Sequence, residues 1–330
     1  MLTLCGEKYG SAFCATGARG FYGEGYPFHR YWKHLGMDWH GTSFSGKTLT
    51  LLPRRGQEFK EEGNMPLRDD GTTPKEFAPK CIWVDFMRGE MANAVGLSNF
   101  GAAFYLQSGA YHRITRPFFI SFMAVAGDVS GREAELRDFC KLLRRYLPFR
   151  ASVALQMNYG CPNSGHDLGE FKDEICTQTE TAKSMLGIPV VINCNALMPT
   201  SILVEVSRVA DGLWVGNTIP FFGTDQIDWS PYGKVSPIRR RGIAADGGLS
   251  SPTCLPLTIL KVWELRESGV SIPIVAGNGI RTEADIDALS LADAVFIGSL
   301  AVVRPHHMQR VIDHANHIHL RSMRNGYDLY

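Results

Sequence analysis

One short run gathers more reactive chemistry than any other in the chain: Asn158-Tyr159-Gly160-Cys161-Pro162-Asn163-Ser164-Gly165-His166. A free thiol ionises near pH ~8.5, so Cys161 is within reach of proton transfer at neutral pH if a neighbour assists, and it is a candidate base or nucleophile. The alternative is a buried structural Cys beside a turn. His166 is the weaker candidate. Asn93, Asn158, Asn163, Asn193 and Asn217 each fall at or just beyond a point where a strand should finish. An amide offers a donor and an acceptor, which suits a planar ligand edged with alternating carbonyl and N–H groups, such as a pyrimidine. Asn is also a good turn residue, and for any one of these positions alone the turn reading is the simpler. Five together point to a ligand.

Small residues mark a second kind of site. Ala276-Gly277-Asn278-Gly279-Ile280 and Ile297-Gly298-Ser299-Leu300 each follow an apolar run, and Asp246-Gly247-Gly248-Leu249-Ser250-Ser251-Pro252 precedes them. Glycine-rich turns after neighbouring strands present backbone N–H groups to a phosphate, which points to FMN, sugar phosphates or nucleotides. Turns needed only to close a barrel are the alternative. The cysteines include no C-x-x-C spacing and the histidines no H-E-x-x-H pair, so a metal site is not expected and any cofactor is organic.

These groups need elements to hold them. Runs rich in β-branched and aromatic residues predict strands over 12–16, 42–47, 118–125, 152–158, 189–193, 212–216, 272–276 and 294–297. Between them, apolar residues at helical spacing predict helices over 131–146, 171–186, 200–209, 255–268 and 283–291, with a closing helix over 304–318. That alternation predicts an α/β fold with a parallel sheet, a (β/α)8 TIM barrel with long βα loops, formed as a single domain over 1–330. A doubly wound sheet is the alternative, but no G-x-G-x-x-G follows the first strand. Two stretches, 53–92 and 219–242, read as irregular loops on the face where barrels build their sites, and the second carries Arg239-Arg240-Arg241. That run is either a solvated charge strip or a contact for a partner.

Composition narrows the partners. The chain has 330 residues, 45% hydrophobic and 20% charged, with a formal charge of +1. A balanced charge gives no field to gather nucleic acid, and the longest apolar runs are far below the roughly 18 residues of a membrane span. The first residues lack a basic segment followed by an apolar stretch, so the expectation is a cytoplasmic protein with no nucleic-acid or membrane partner and with reduced thiols, Cys14, Cys140 and Cys194 among them buried.

Taken in order, these motifs resemble the dihydroorotate dehydrogenase family of FMN barrels over most of the chain. Asn158-Tyr-Gly-Cys161-Pro-Asn163 is similar to the family's Asn-x-Ser-Cys-Pro-Asn segment, and Asn93-Ala-Val-Gly-Leu-Ser-Asn99 to its Asn-x-x-Gly-Leu-x-Asn motif. Gly216-Asn217-Thr218, Ala15-Thr16-Gly17 and Ser45-Gly46-Lys47-Thr48 also have counterparts. The resemblance implies FMN as cofactor, dihydroorotate as substrate and orotate as product, with Cys161 the general base and hydride passing to the flavin. It implies substrate contacts from Lys47, Asn93, Val95, Gly96, Leu97, Asn158, Asn163, Asn217 and Thr218. Flavin contacts would come from Ala15, Thr16, Gly17, Lys47, Asn158, Asn193, Gly248, Asn278, Gly279, Gly298 and Ser299. Cysteine at the base position resembles the class 1 enzymes, which implies a homodimer using a soluble oxidant such as fumarate, or an electron-transfer subunit. One departure stands out: where the family carries Lys on strand five, this chain has Asn193. That substitution, and the unmatched Gly20-Phe21-Tyr22-Gly23-Glu24-Gly25-Tyr26 segment, leave room for another reduced pyrimidine or an enone-like substrate; a barrel that binds FMN or a phosphate ligand without turnover is the further alternative.

Overall fold

The computed structural model describes residues 1–54, 63–159 and 168–325. Eight parallel strands close a barrel: β1 (Ala12–Cys14), β2 (Ser43–Ser45), β3 (Phe118–Phe122), β4 (Val153–Asn158), β5 (Val190–Asn195), β6 (Gly212–Asn217), β7 (Ile274–Gly277) and β8 (Ala294–Ile297). Each pairs with its sequence neighbours and β8 returns to β1, so the order is sequential all round. The chain is therefore a (β/α)8 barrel of the α/β class, and all eight expected strands are present with ends shifted by a few residues. The largest shift is in β3, which stops at Phe122; β1 and β2 stop two residues early, at Cys14 and Ser45, and Gly17 N beyond β1 donates to Ser45 O.

The strands read as almost unbroken apolar runs because both faces are buried. One side of the pleat packs against the helices. The other fills the barrel with Phe13, Phe119, Ala154, Val191, Trp214, Val275, Ala294 and Phe296. Trp214 anchors this layer, stacked on Phe296 at 5.2 Å and edge-on to Phe13 at 5.3 Å; such aromatic pairs contribute about 0.5–1.5 kcal/mol each beyond burial. An antiparallel hairpin, Leu2–Leu4 with Glu7–Gly10, plugs the N-terminal end by adding Leu2, Leu4 and Tyr9 to the same layer. Around the barrel, helices at Val129–Arg144, Leu168–Leu186, Thr200–Val206, Leu255–Glu267, Glu283–Ala288 and Met308–Asn325 match the expected ones. Asp128 caps the first of these, its Oδ1 accepting the Gly131 N–H at 2.7 Å, and a capping box of Thr282 and Asp285 starts the fifth.

The stretches read as irregular loops are a correction. Ile82–Asp85 and Glu90–Asn93 form an antiparallel hairpin, which continues through Gly248–Ser250 to Ile219–Pro220 as a four-stranded sheet on the mouth side of the barrel. Local composition hides these strands because they are short, charged and Gly residues interrupt each segment, and the pairing that joins Glu90–Asn93 to Gly248–Ser250 spans more than a hundred residues. Among the described residues, no helix is long and apolar enough to cross a membrane.

Candidate functional site

Alternation along a strand sends every second residue into the barrel. On β4 the inward series is Ala154, Gln156, Asn158, and on β5 it is Val191, Asn193, Asn195, so the interior changes from apolar to amide toward the C-terminal ends. Asn158 and Asn193 are direct register partners. Above the Trp214–Phe296 layer lies a cavity of about 630 Å³ with Trp214 and Phe296 in its wall.

The amides at its base form one connected chain. The Thr218 N–H donates to Asn217 Oδ1 at 2.8 Å, and Asn217 Nδ2 donates to Asn158 Oδ1 at 3.0 Å. Asn193 Nδ2 donates to the same Asn158 Oδ1 at 3.3 Å, while Asn158 Nδ2 reaches Thr48 Oγ1 at 3.1 Å. Among the described residues, Asn193 Oδ1 is buried with no hydrogen-bond partner. Asn278, at φ 81°, donates from Nδ2 to the Asn217 carbonyl at 3.3 Å and likewise leaves its Oδ1 buried and unpaired.

A cation lines the same cavity, next in sequence to Thr48. Lys47 is buried, its Nζ donates to the Ser98 carbonyl and lies 5.0 Å from the Phe21 ring, and burial pushes its pKa down to about 7. Among the described residues no carboxylate pairs with it. The Asn93–Asn99 segment folds beside it, with Gly96 and Leu97 at φ 66° and 59°. Asn99 serves that loop, donating to Leu97 O at 2.7 Å and Thr50 Oγ1 at 2.8 Å.

The residues singled out by sequence mostly converge. Asn93, Val95, Gly96 and Leu97 line the cavity together with Lys47; so do Asn158, Asn193, Asn217 and Thr218 from the ends of β4 to β6. Ala15, Thr16 and Gly17 after β1, Asn278 and Gly279 after β7, and Gly298 and Ser299 after β8 complete the ring. Gly279 also has a packing reason: at φ +86°, a Cβ there would lie 2.1 Å from the Ser251 carbonyl. Gly248 differs. It sits in the antiparallel sheet opposite Asn93, where a Cβ would meet Thr218 Oγ1 at 2.2 Å, and it is Ser250 two residues on that reaches the cavity wall. Cys161, Asn163 and His166 lie outside the described residues. The chain enters their segment at Tyr159, whose hydroxyl donates to Gln178 at 2.7 Å; Gln178 in turn donates to Glu174, which pairs with Arg132 at 2.6 Å.

Three features escaped the sequence reading. Gln156, fully buried below Asn158, accepts from Thr16 Oγ1 at 2.7 Å and Ser45 Oγ at 3.0 Å; the two-residue step to Asn158 was a usable signal. Arg241, in the triple-Arg run, lines the cavity and donates to Ile82 O at 2.6 Å, while Arg239 pairs with Asp246 at 3.0 Å and Arg240 donates to Tyr232 O at 2.9 Å. The run is thus engaged within the molecule rather than a bare charge strip.

The third feature is an apolar arm of the cavity. It is walled by Phe28 and Trp32 from the loop after β1, Phe77, the hairpin's Ile82, Val84 and Phe86, and Val302. Its hairpin wall is fastened through main-chain oxygens: Arg281 donates to Arg88 O and Gly89 O, and Arg304 to Phe86 O. Glu90 secures the same hairpin from beneath, buried and accepting from Ser251 and Tyr232 at 2.9 Å while pairing with Arg88 at 3.1 Å. On the far wall His29 is buried, its Nδ1 accepts from the Tyr26 N–H at 3.1 Å, and burial, with Arg19 and Lys33 adding to it, pushes its pKa down to about 4. No protein-family model matches the chain, and no curated protein matches it at a significant level.

Proposed function

We propose that the chain is an FMN-dependent oxidoreductase that oxidises dihydroorotate to orotate, with Cys161 as general base. The observation that carries this reading is the convergence on one cavity of strand-end amides, a buried lysine and two glycine-rich turns. A volume of about 630 Å³ falls in the usual range of roughly 300–1,000 Å³ for ligand sites. Several protein groups there want a partner: Lys47 has no carboxylate among the described residues, and Asn193 Oδ1 and Asn278 Oδ1 are unpaired. Buried polar atoms left so cost about 1–3 kcal/mol each, which a polar heterocycle would offset. Ala15 to Gly17, Asn193, Asn278, Gly279, Gly298 and Ser299 would hold FMN, with Ser299 and the turn amides on the phosphate. FMN supplies the acceptor for the substrate's hydride.

The remaining work falls to this chain's residues. Lys47 can take up a proton as an anionic substrate arrives, because its pKa already sits near neutrality and a carboxylate raises it. Asn158 and Asn217, locked to each other, read the substrate's ring edge, and Thr218 and the 95–97 backbone close its other side. Cys161 takes the proton from carbon while the hydride leaves. The aromatic layer beneath excludes water from below. A soluble oxidant such as fumarate, a homodimer, and an electron-transfer subunit remain part of the reading as the family resemblance implies them.

The apolar arm favours a second reading, in which the same machinery acts on another reduced pyrimidine or a less polar enone-like compound. Purified protein should be yellow and bleach anaerobically with dihydroorotate; bleaching only by an apolar reductant would select the second reading, and colourless protein that takes up no FMN would reject both. Cys161→Ser should bind FMN normally yet slow flavin reduction by roughly two to four orders of magnitude.

A further inference from the structure

Among the described residues, three arginines hold main-chain oxygens of the mouth-side hairpin, and one of them also lines the cavity. Arg281 and Arg304 hold the tip and take no part in the cavity wall. Arg241 donates from Nη1 to Ile82 O at 2.6 Å, at the hairpin's root, and does line the cavity. It is half-buried rather than sealed, and among the described residues its Nε and Nη2 have no hydrogen-bond partner and no carboxylate pairs with it. Its neighbour Arg239, by contrast, pairs with Asp246 and lies outside the cavity wall.

Lys47 approaches the same segment from its other end. Its Nζ donates to Ser98 O, while Ile82, which Arg241 holds, is the register partner of Asn93, so the two cations bracket the run whose Val95, Gly96 and Leu97 line the cavity. Cys81, buried beside Ile82, feels both charges: burial pushes its thiol up to about 11, Lys47 and Arg241 each oppose that rise, and Glu76 adds to it. Glu76 is exposed, and among the described residues it is the one carboxylate in the cavity wall. Lys47 sits at the edge of ionisation with a pKa of about 7, whereas a guanidinium keeps its charge throughout.

We propose that Arg241 is a carboxylate-binding residue of the cavity, its Nε–Nη2 edge forking onto the carboxylate of a planar ligand beside the 95–97 backbone while Nη1 stays on Ile82 O. The proposal rests on the reading of an anionic heterocycle as substrate and adds the residue that selects for its charge. A residue needed only to fasten Ile82 could be neutral, since any N–H donor meets a carbonyl. A planar, permanently charged fork is what a carboxylate requires and what a lysine cannot reproduce.

The test compares orotate with its carboxamide, the same ring with the charge removed, by calorimetric titration of the FMN-loaded protein. Native protein should bind orotate tighter than the amide by roughly tenfold or more. Arg241→Gln, which keeps an N–H donor for Ile82 O, should lose roughly 10- to 150-fold in orotate affinity and leave the amide within about threefold. Arg241→Lys should recover only part of that loss. Arg239→Gln should change neither ligand. Equal losses for both ligands in Arg241→Gln, or no loss for orotate, overturns the proposal and leaves Arg241 as a fastener of the hairpin. If Arg241→Gln does not fold, Arg241→Lys decides, because an unchanged orotate affinity there means that no fork is used. Native protein that takes up no FMN removes the flavin reading alone, and the same pair of titrations on the flavin-free chain then decides Arg241; native protein that binds no orotate in either state overturns the proposal.

Discussion

The two ends of the cavity are built on different principles. The amide end is made by the last inward residues of β4, β5 and β6, whose positions follow from strand register, and its side chains are bonded mainly to one another. The apolar arm is made by connecting segments, and it is held by arginines that bond main-chain oxygens. Strand ends in a closed barrel cannot move singly, because each is paired on both sides. Loop walls can, within the reach of their anchors. The comparison separates recognition, which needs fixed amide geometry, from access, which needs only an apolar surface of the right width.

Removing the cation should expose that division most sharply. Lys47→Met should weaken binding of an anionic heterocycle by roughly 10- to 150-fold, the loss of a charge-assisted hydrogen bond, while leaving an uncharged apolar ligand nearly unaffected in the same calorimetric titration. Equal losses for both ligands would mean that the two ends act as one site. The same substitution should change pH dependence. Because the folded pKa of Lys47 is about 7, below its ordinary value of 10.5, the unfolded chain binds the extra proton between those limits. Native stability from this group therefore rises with pH above about 7 and is at its least below it, by an amount on the order of a few kcal/mol. Lys47→Met should flatten denaturant midpoints between pH 7 and 9 if burial is the cause.

A smaller effect is expected from the arm's tether. Arg281→Met removes two main-chain contacts of the 86–89 tip and should speed amide exchange there by about tenfold, with Asn158 and Asn193 unchanged. Spread of the faster exchange into β4 and β5 would join the two ends dynamically. Acid should act in the same place. His29, neutral in the fold with a pKa near 4 against an ordinary 6.5, contributes stability above pH 6.5 that is lost as pH falls toward 4. Tryptophan fluorescence at Trp32 and Trp39 should therefore shift with acid, and His29→Leu should abolish the shift. The smallest effect serves as a reference: Asp128→Ala removes a helix cap that lines no part of the cavity and should lower global stability by about 1 kcal/mol without moving either ligand's affinity.

The same contrast explains what could be read from the chain. Eight strands and the positions of Asn158, Asn193 and Asn217 were legible because period-2 alternation and strand termination are local properties, and a barrel turns strand ends into one ring. Gln156 was legible on the same grounds, as it shares the inward parity of Asn158, yet its place inside the β4 run masked it as core. The Ile82–Asp85 and Glu90–Asn93 hairpin was not, since Glu90–Asn93 is held into a sheet by pairing with Gly248–Ser250, and no local pattern encodes a partner so distant. Gly248 illustrates the limit from the other side. Its glycine-rich context suggested a phosphate turn, whereas the space it leaves is taken by Thr218.

The fastening of the hairpin tip has an evolutionary consequence. Arg281 and Arg304 grip carbonyl oxygens that every residue type supplies, so the identities of Phe86 and Met87 are irrelevant to the grip, and both are exposed, Phe86 at the cavity wall and Met87 to 90%. Two neighbouring positions on the rim of the cavity are thereby released from any duty to the fold. Sequence drift there is cheap, and a graft or a library inserted at those two positions would alter what approaches the mouth while the anchoring arginines kept the scaffold in place.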